Sequence, residues 1–268
     1  MLYGKYEVID AHCHIYPQKI AALAVAHTDT FYSENSTGKG RVEDLTAQGV
    51  AAGVDRFIVQ SVATTPRQVD SINAYIAGQV AQNDRLIGLG TMHPDSRDME
   101  GELLRLLELG LKGVKLHPDM QEFPIDGRRG MQICALCERY DVPILMHTGD
   151  SRYDHCNPNR LVPLLKAFPG LTLVGAHMGG WSLWETAWQT LAEFPNLYVD
   201  CSSSFPYLTK EAAAGIIRAY GTDRVLFGTD YPMWSPAPEL EYLMSLGFTE
   251  AEYRSILSEN AKRVFRFQ

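Results

Sequence analysis

The sequence predicts a TIM-type (β/α)8 barrel, and three observations support this prediction. Short runs rich in β-branched and aliphatic residues recur at fairly even intervals, with helical patterns between them. Their count is eight, and eight strands that alternate with helices close a parallel barrel. The length of 268 residues is close to the ~250 that is typical of this fold. We therefore expect a single domain over residues 1–268.

The predicted elements follow in order from local signals. The first strand covers residues 7–14, and a long polar loop over residues 16–40 follows it, a length that is usually functional or disordered. Pro66 suits the first turn of the helix 66–83. Gly110 ends the helix 98–109, and Gly247 interrupts the helix 239–267. The other predicted strands are 56–62, 86–92, 113–117, 143–147, 171–177, 197–201 and 225–230. The predicted helices are 42–53, 66–83, 98–109, 130–140, 161–168, 184–194, 209–220 and 239–267.

An open, doubly wound parallel sheet is the structural alternative. Such a sheet usually carries a glycine-rich phosphate-binding turn after its first strand. In this sequence that place holds His12, Cys13 and His14. The barrel is therefore favoured.

Composition excludes several classes of function. A formal net charge of −8 argues against a general nucleic-acid binder. No apolar run approaches the ~18 to 20 residues that a membrane span requires, and a strand that begins by residue 7 leaves no room for a signal peptide. We expect a cytoplasmic protein that acts on a small molecule; a homodimer is considered, and the sequence does not decide it.

The cysteines do not indicate disulfide bonds. Their number is odd, five in 268 residues, which does not make a disulfide framework. Cys134 and Cys137 form a CxxC pattern, but they lie in an apolar run with helical character. Buried core cysteines are therefore favoured over a redox pair.

The histidines concentrate where a barrel places its active site. Strand alternation puts Asp10, His12 and His14 on one face and Cys13 on the other, and two imidazoles two residues apart can bind one metal ion. All strand C-termini of a barrel open on the same face, where active sites are built. Six of the eight histidines lie at or beside such ends: His12, His14, His93, His117, His147 and His177. The other two, His27 and His155, fall in the loops after strands one and five.

Five short motifs resemble those of the amidohydrolase superfamily. They are Asp-Ala-His-Cys-His at 10–14, Lys-Leu-His-Pro at 115–118, His-Thr-Gly at 147–149, Gly-Ala-His-Met-Gly-Gly at 175–180 and Gly-Thr-Asp-Tyr-Pro at 228–232. More narrowly, the chain is similar to the amidohydrolase-related (amidohydrolase 2) group, which contains hydrolases and nonoxidative decarboxylases. The segment 260–265 resembles the closing helix of that group. The resemblance implies a barrel of the metallo-dependent hydrolase type.

The resemblance also implies roles for individual residues. His12, His14, His147 and Asp230 would bind a divalent metal. One Zn²⁺ ion is our first expectation, and manganese, iron or cobalt would fit the same ligands. Asp230 would also accept a proton from metal-bound water, which makes it one catalytic residue. His177 would be the other, either as a ligand of a second metal or as a free imidazole that polarises the substrate and transfers protons.

Two further sets of residues have alternative interpretations. Lys115 shares a face with His117, and a salt bridge to Asp or Glu is favoured over a carboxylated lysine that bridges two metals. His117 would orient a neighbouring group by hydrogen bonding. In the loops after strands five to eight, Arg152, Trp181 and Trp234 would bind the substrate, and an arginine beside aromatic rings would suit a carboxylate. Anchoring of the loops over the barrel rim is an equal alternative for these three.

The function predicted first is a metal-dependent hydrolase of a small amide, lactone or ester, in which metal-bound hydroxide attacks the carbonyl. The alternative is a metal-dependent nonoxidative decarboxylase of a small carboxylic acid, because members of the group share the ligand set. A metal-binding barrel that has lost activity is a third hypothesis, and the complete ligand set disfavours it.

Overall fold

A computed structural model of the chain describes residues 4–268 and shows a closed parallel barrel. Strands that follow one another in the sequence pair in parallel, except for two short segments of the third predicted strand, which pair with opposite neighbours and not with each other. The third predicted strand is divided at Leu89, which gives two short segments in place of one. The strands are β1 (Ile9–His14), β2 (Arg56–Gln60), β3 (Leu86–Gly88), β4 (Gly90–Thr91), β5 (Val114–Leu116), β6 (Ile144–Met146), β7 (Leu173–Gly175), β8 (Leu197–Asp200) and β9 (Val225–Leu226).

Residues just beyond β9 close the barrel against β1. The Ala11 amide donates to the Phe227 carbonyl at 2.9 Å, and Cys13 forms a parallel bridge with Tyr231. The first and last strands are thereby joined, which confirms the predicted (β/α)8 fold.

Helices surround the barrel and follow the predicted order. Most bounds agree with the predicted ones within a few residues, although the last predicted helix is divided around Gly247. Short 3-10 turns lie at 66–68, 177–179 and 205–207, and a π-helical turn spans 255–259. The helices are α1 (Gln18–Tyr32), α2 (Val42–Ala52), α3 (Val69–Val80), α4 (Met99–Glu108), α5 (Arg128–Arg139), α6 (Pro158–Ala167), α7 (Trp184–Leu191), α8 (Lys210–Tyr220), α9 (Pro236–Met244), α10 (Glu250–Arg254) and α11 (Asn260–Phe265).

The long loop predicted over residues 16–40 is wrong, because most of it is the helix α1. Ala21, Ala22, Ala24 and Ala26 lie in this helix, and alanine has the highest intrinsic helix propensity. Only Ala21 of its fifteen residues is buried, so α1 lacks the strong apolar stripe that usually identifies a helix in a sequence. It ends at Ser33, which has the left-handed backbone conformation common at helix C-termini.

The apolar core has two layers. Side chains from the inner faces of the strands fill the barrel, and Phe265 of α11 packs against them. A larger layer lies between the strands and the surrounding helices. A register shift between Asp10 and Cys13 breaks the alternation along β1: Ile9 and Ala11 belong to the inner layer, while Cys13 belongs to the outer one. Asp10 is therefore not on the same face as His12, contrary to the prediction from simple alternation.

The remaining sequence predictions that the structure addresses concern cysteines and membranes. Cys134 and Cys137 on α5 are buried and unpaired, as are the other three cysteines, which agrees with core residues rather than a redox pair. Among residues 4–268, no helix combines the length and apolarity needed to cross a membrane. A single domain over 1–268 stays a prediction, and its first three residues lie outside the described part.

Candidate active site and metal centre

The predicted site residues meet at the C-terminal mouth of the barrel. His12 and His14 end β1, while His147, His177 and Asp230 follow β6, β7 and β9. All five line one cavity of about 750 Å³. Of the six histidines at strand ends, five reach this cavity, and His93 is the exception. The mouth of the barrel therefore collects polar, buried side chains that are far apart in the sequence.

Three side chains converge closely enough to hold a metal ion. His12 Nε2 lies 3.2 Å from His14 Nε2 and 3.2 Å from Asp230 Oδ1, and His14 Nε2 lies 3.5 Å from the same oxygen. Burial lowers the pKa of His14 to about 4, so this imidazole is neutral at pH 7 and its ligand nitrogen needs no deprotonation. Two imidazoles and one carboxylate fit a divalent transition ion.

Asp200 orients His12 for this role. His12 Nδ1 donates to Asp200 Oδ2 at 2.9 Å, with both side chains fully buried. The proton therefore lies on Nδ1, and Nε2 presents its lone pair to His14 and Asp230. A carboxylate behind a histidine ligand is a common arrangement in metal sites, where it fixes the tautomer and the ring orientation.

His147 and His177 present ring nitrogens to the same space. His177 Nδ1 donates to the Ser202 carbonyl at 3.1 Å, which leaves Nε2 as an acceptor 3.0 Å from His147 Nδ1. On its other side, His147 Nε2 is buried without a hydrogen-bond partner and lies 3.5 Å from Asp119 Oδ2. If Nδ1 were a metal ligand, Nε2 would carry the proton and could donate to Asp119, so the ring orientation fits the predicted ligand role. In the described chain, the close group around His147 contains His117 and Asp119 rather than His12 or His14.

Lys115 lies beside the predicted metal ligands, not in the expected salt bridge. Its Nζ donates to His12 Nε2 at 2.8 Å, and within residues 4–268 no carboxylate forms an ion pair with it. Burial lowers its pKa to about 8, although Asp230 and Asp200 act in the opposite direction. The expectation of a structural salt bridge is therefore wrong. Lys115 instead interacts with the histidine nitrogen that the metal hypothesis requires.

His117 positions its neighbours, in agreement with its predicted orienting role. Its Nδ1 accepts from the Met120 amide at 3.2 Å, so Nε2 carries the proton and donates to Tyr32 Oη at 2.6 Å. Its ring stacks on that of His147, with centroids 4.1 Å apart. Sequence reasoning missed Tyr32, because the segment around it was predicted to be a loop.

Backbone strain concentrates at this mouth. His177, Met178, Ser203 and Asp230 all have positive φ angles between 49° and 60°. Non-glycine residues rarely adopt this conformation, and such residues cluster at functional sites. Two of the four are the predicted catalytic residues. The conformation also brings Ser203 Oγ within 2.7 Å of Asp230 Oδ2, to which it donates.

The three predicted substrate-binding residues lie at the edge of the site. Arg152 donates to both carboxylate oxygens of Asp150, at 2.9 and 2.7 Å, and to the Phe31 carbonyl at 2.6 Å. It does not line the large cavity. Trp181 and Trp234 line a separate recess of about 10 Å³, room for about one water molecule. Their contact with substrate stays a prediction, and the contacts of Arg152 are those of an anchor between a loop and α1.

The remaining histidines have other positions. His93 Nδ1 accepts the Asp95 amide at 3.1 Å within a tight turn, and His155 Nδ1 lies 3.0 Å from Asp119 Oδ1. His27 lines the outer part of the large cavity. Sequence reasoning also missed Asp200 and Asp119. Asp200 was detectable, because it ends a predicted strand as the histidines do.

Most of the known proteins that resemble this chain are named as decarboxylases. The chain is 24% identical to gamma-resorcylate decarboxylase of Rhodococcus jostii (strain RHA1) over an alignment of 266 residues, which covers 78% of this chain and 80% of the relative. Among solved structures, 5-carboxyvanillate decarboxylase of Sphingomonas paucimobilis aligns with a TM-score of 0.77 at 19% identity and covers 98% of this chain and 99% of its own. Dihydroxybenzoic acid decarboxylase of Polaromonas sp. JS666, solved with manganese and the inhibitor 2-nitroresorcinol, aligns with a TM-score of 0.74 at 17% identity and covers 97% of both chains.

These relatives correct the function predicted first. A hydrolase of an amide, lactone or ester was expected, but the similar proteins are mostly decarboxylases, which agrees with the alternative hypothesis. One structural neighbour, from Pseudomonas putida, is named as a 2-pyrone-4,6-dicarboxylic acid hydrolase. The error has a physical reason, since the same ligand set serves both reactions and cannot discriminate between them. The expectation of zinc gains no specific support either, because the Polaromonas structure contains manganese.

A family profile described as Amidohydrolase matches residues 9–267, which is nearly the whole chain. The matched region contains both β1 histidines, the histidines after β6 and β7 and the aspartate after β9. The chain therefore belongs to the amidohydrolase family and is an enzyme of the amidohydrolase-related superfamily.

Proposed function

We propose that the protein is a metal-dependent nonoxidative decarboxylase of a small carboxylic acid. The observation that carries the proposal is its similarity to gamma-resorcylate decarboxylase over about four fifths of both chains. The His12–His14–Asp230 group, of which His12 is buried and the other two are partly buried, agrees with it, because a cation at this point would attract the carboxylate of the substrate. A cytoplasmic location and a homodimer remain predictions from the sequence.

The cofactor we propose is one divalent ion, held by His12, His14 and Asp230 with His147 as the fourth ligand. Manganese is our first choice in place of zinc, because nitrogen and oxygen ligands suit both and the Polaromonas relative holds manganese. When bound, the ion would act as a Lewis acid that holds anionic oxygens of the substrate. If Lys115 stays an unmodified amine, elemental analysis should give about one ion per chain regardless of added bicarbonate. Two ions per chain that depend on bicarbonate would instead indicate carboxylation of Lys115.

The reaction exchanges a carboxylate for a proton. The bond between carbon and the carboxylate breaks, its electron pair stays on that carbon, a proton takes its place and carbon dioxide leaves. His177 and Asp230 line the cavity and are our candidates for carrying the proton. Burial lowers the pKa of His177 to about 4, so at pH 7 its Nε2 is free to accept a proton from a substrate hydroxyl or a water and return it to carbon.

Isotope labelling tests the reaction class. Protein loaded with Mn²⁺ is incubated with 2,6-dihydroxybenzoate, 5-carboxyvanillate and simple lactones in deuterated water enriched in ¹⁸O. We expect release of carbon dioxide from an acid, deuterium at the carbon that carried the carboxylate, and no new ¹⁸O in the organic product. Lactone opening with ¹⁸O incorporation and no carbon dioxide release would contradict the proposal.

A further inference from the structure

The cavity extends well beyond the histidine cluster. It runs from the buried ring nitrogens at the barrel mouth outward between α1 and the segment that contains α3. Its volume of about 750 Å³ falls in the range of roughly 300–1,000 Å³ that accommodates drug-sized ligands. A carboxylate at the histidine cluster therefore leaves much of the cavity for the rest of the molecule.

One wall of this outer part is a face of α1 that carries exposed apolar side chains. Ile20, Leu23, Ala24, His27 and Thr28 follow the spacing of a single helix face, and all five line the cavity. Leu23 is 75% exposed and Ile20 is 43% exposed, the former being the most exposed large apolar side chain among residues 4–268.

The opposite wall belongs to α3 and the turn before it. Gln68, Ser71, Ile72 and Tyr75 again share one helical face, and they line the same cavity. Two helix faces thus enclose a largely apolar space that is continuous with the histidine cluster. Burial of apolar surface against such walls is favourable, so an apolar group of the ligand would bind there more strongly than a polar one.

We propose that the acid which binds this site carries an apolar extension, an alkyl or second aromatic group, that lies between Leu23 of α1 and Ile72 and Tyr75 of α3. The inference deepens the proposed function and rests on it for the placement of the carboxylate at the histidine cluster. Continuity of the cavity with that cluster favours the ligand itself as the occupant over a partner protein, which would cover the outside of α1.

Paired inhibitors test this inference through binding rather than turnover. The probes are 2-nitroresorcinol and 5-pentyl-2-nitroresorcinol, whose pentyl chain points away from the nitro group. Calorimetry is performed on the Mn²⁺-loaded protein. We expect the pentyl compound to bind at least about tenfold more tightly, with a more negative heat-capacity change, because five CH₂ or CH₃ groups leave water.

Two variants locate the pentyl group. Leu23→Gln should remove most of the gain in affinity that the pentyl group gives, while it changes the affinity for 2-nitroresorcinol by less than about twofold. Leu23 lies in the outer part of the cavity and is far more exposed than His12, His147 and His177. Leu104→Gln is the matched control, because Leu104 is an exposed leucine of α4, 40% accessible, that does not line the cavity. This control should keep the full gain in affinity from the pentyl group.

The outcomes separate the inference from the proposed function. Equal or weaker binding of the pentyl compound, failure of both probes to bind, or a gain that survives in Leu23→Gln would overturn the inference. Carbon dioxide release from single-ring acids without a pentyl gain would leave the proposed decarboxylase intact. Conversely, a pentyl gain that depends on Leu23, with no carbon dioxide released from any acid, would support the apolar site and count against the decarboxylase.

Discussion

The inner and outer halves of the barrel mouth are built in different ways. The inner half is the histidine cluster, in which His12, His147 and His177 come from strand ends. The ring nitrogen of each that points away from the cluster faces an oxygen, of Asp200, Asp119 and Ser202 respectively. In the outer half, α1 contributes apolar side chains of which only Ala21 is buried. The difference agrees with the proposed roles, in which the inner half performs the chemistry and the outer half selects the substrate. Groups that take part in a reaction need fixed positions, whereas groups that only contact a substrate tolerate looser packing.

Two side chains connect the halves. Tyr32, at the end of α1, accepts a hydrogen bond from His117 at 2.6 Å. Arg152 donates to the Phe31 carbonyl at 2.6 Å and is held by Asp150 on the inner side. The C-terminal end of α1 is therefore attached by hydrogen bonds to residues around the histidine cluster.

The largest expected effect tests the inner half as a metal centre. His12→Ala or His147→Ala should remove nearly all bound divalent ion, as measured by elemental analysis after dialysis, because each change deletes a ligand nitrogen. Cys13→Ala is the matched control, since Cys13 lies between the two β1 histidines but packs in the outer core layer. Metal content that is unchanged in both histidine variants would exclude the assigned centre.

The next effect separates proton transfer from metal binding. His177→Asn and Asp230→Asn should each lower kcat by about two to four orders of magnitude, the usual range for a lost acid–base group. Both should retain much of the metal, since asparagine keeps an oxygen at position 230 and position 177 is not a proposed ligand. His93→Asn is the control, because His93 lies outside the cavity. Near-normal turnover in both variants would show that neither residue carries the proton.

A smaller effect concerns pH and the metal-free protein. Burial lowers the pKa of His14 and His177 to about 4, below the unfolded value near 6.5. Between these values the two histidines bind more protons in the unfolded chain than in the folded one, so their contribution to stability falls as the pH falls from 6.5 towards 4. Buried Asp10 and Glu239, whose pKa values burial raises to about 6 and about 8, act in the opposite direction, so the test compares the wild type with His177→Asn. In urea unfolding after chelation, we expect the wild type to lose about 1 kcal/mol more than this variant between pH 7 and 5.5. Equal changes in the two proteins would contradict the burial of a neutral imidazole at position 177.

The smallest effect tests the link between the halves. Arg152→Lys should lose the paired hydrogen bonds to Asp150 and the hydrogen bond to the Phe31 carbonyl. The bond to Phe31 contributes about 1 kcal/mol to the stability of α1 in its place. Amides of α1 should then exchange hydrogen about fivefold faster in the ligand-free protein. If Arg152 only binds substrate, exchange in the ligand-free protein should not change. Arg139→Lys, which alters an exposed ion pair on α5, serves as the control.

Much of the barrel could be predicted because its signals are local. Apolar strands that end in histidine repeat along the chain, and strand ends of a barrel share one face, so residue order predicted that the strand-end histidines lie at one mouth. The same rule would have found Asp200. The resemblance to the amidohydrolase group added Asp230 to the set of converging residues. Simple alternation failed at Asp10, because the register shift in β1 depends on pairing with β2.

The amino-acid sequence by itself determined the fold class, the family and the identity of the converging histidines. Tertiary structure alone decided that α1 forms a cavity wall, that Lys115 contacts His12 rather than a carboxylate, and which ring nitrogen of each histidine faces the site. These features depend on contacts between different strands and helices, from His177 with Ser202 to His12 with Asp200, which are 25 and 188 positions apart. Local propensity and periodicity carry no information about such pairs, because the free energy of each contact exists only after the barrel has closed.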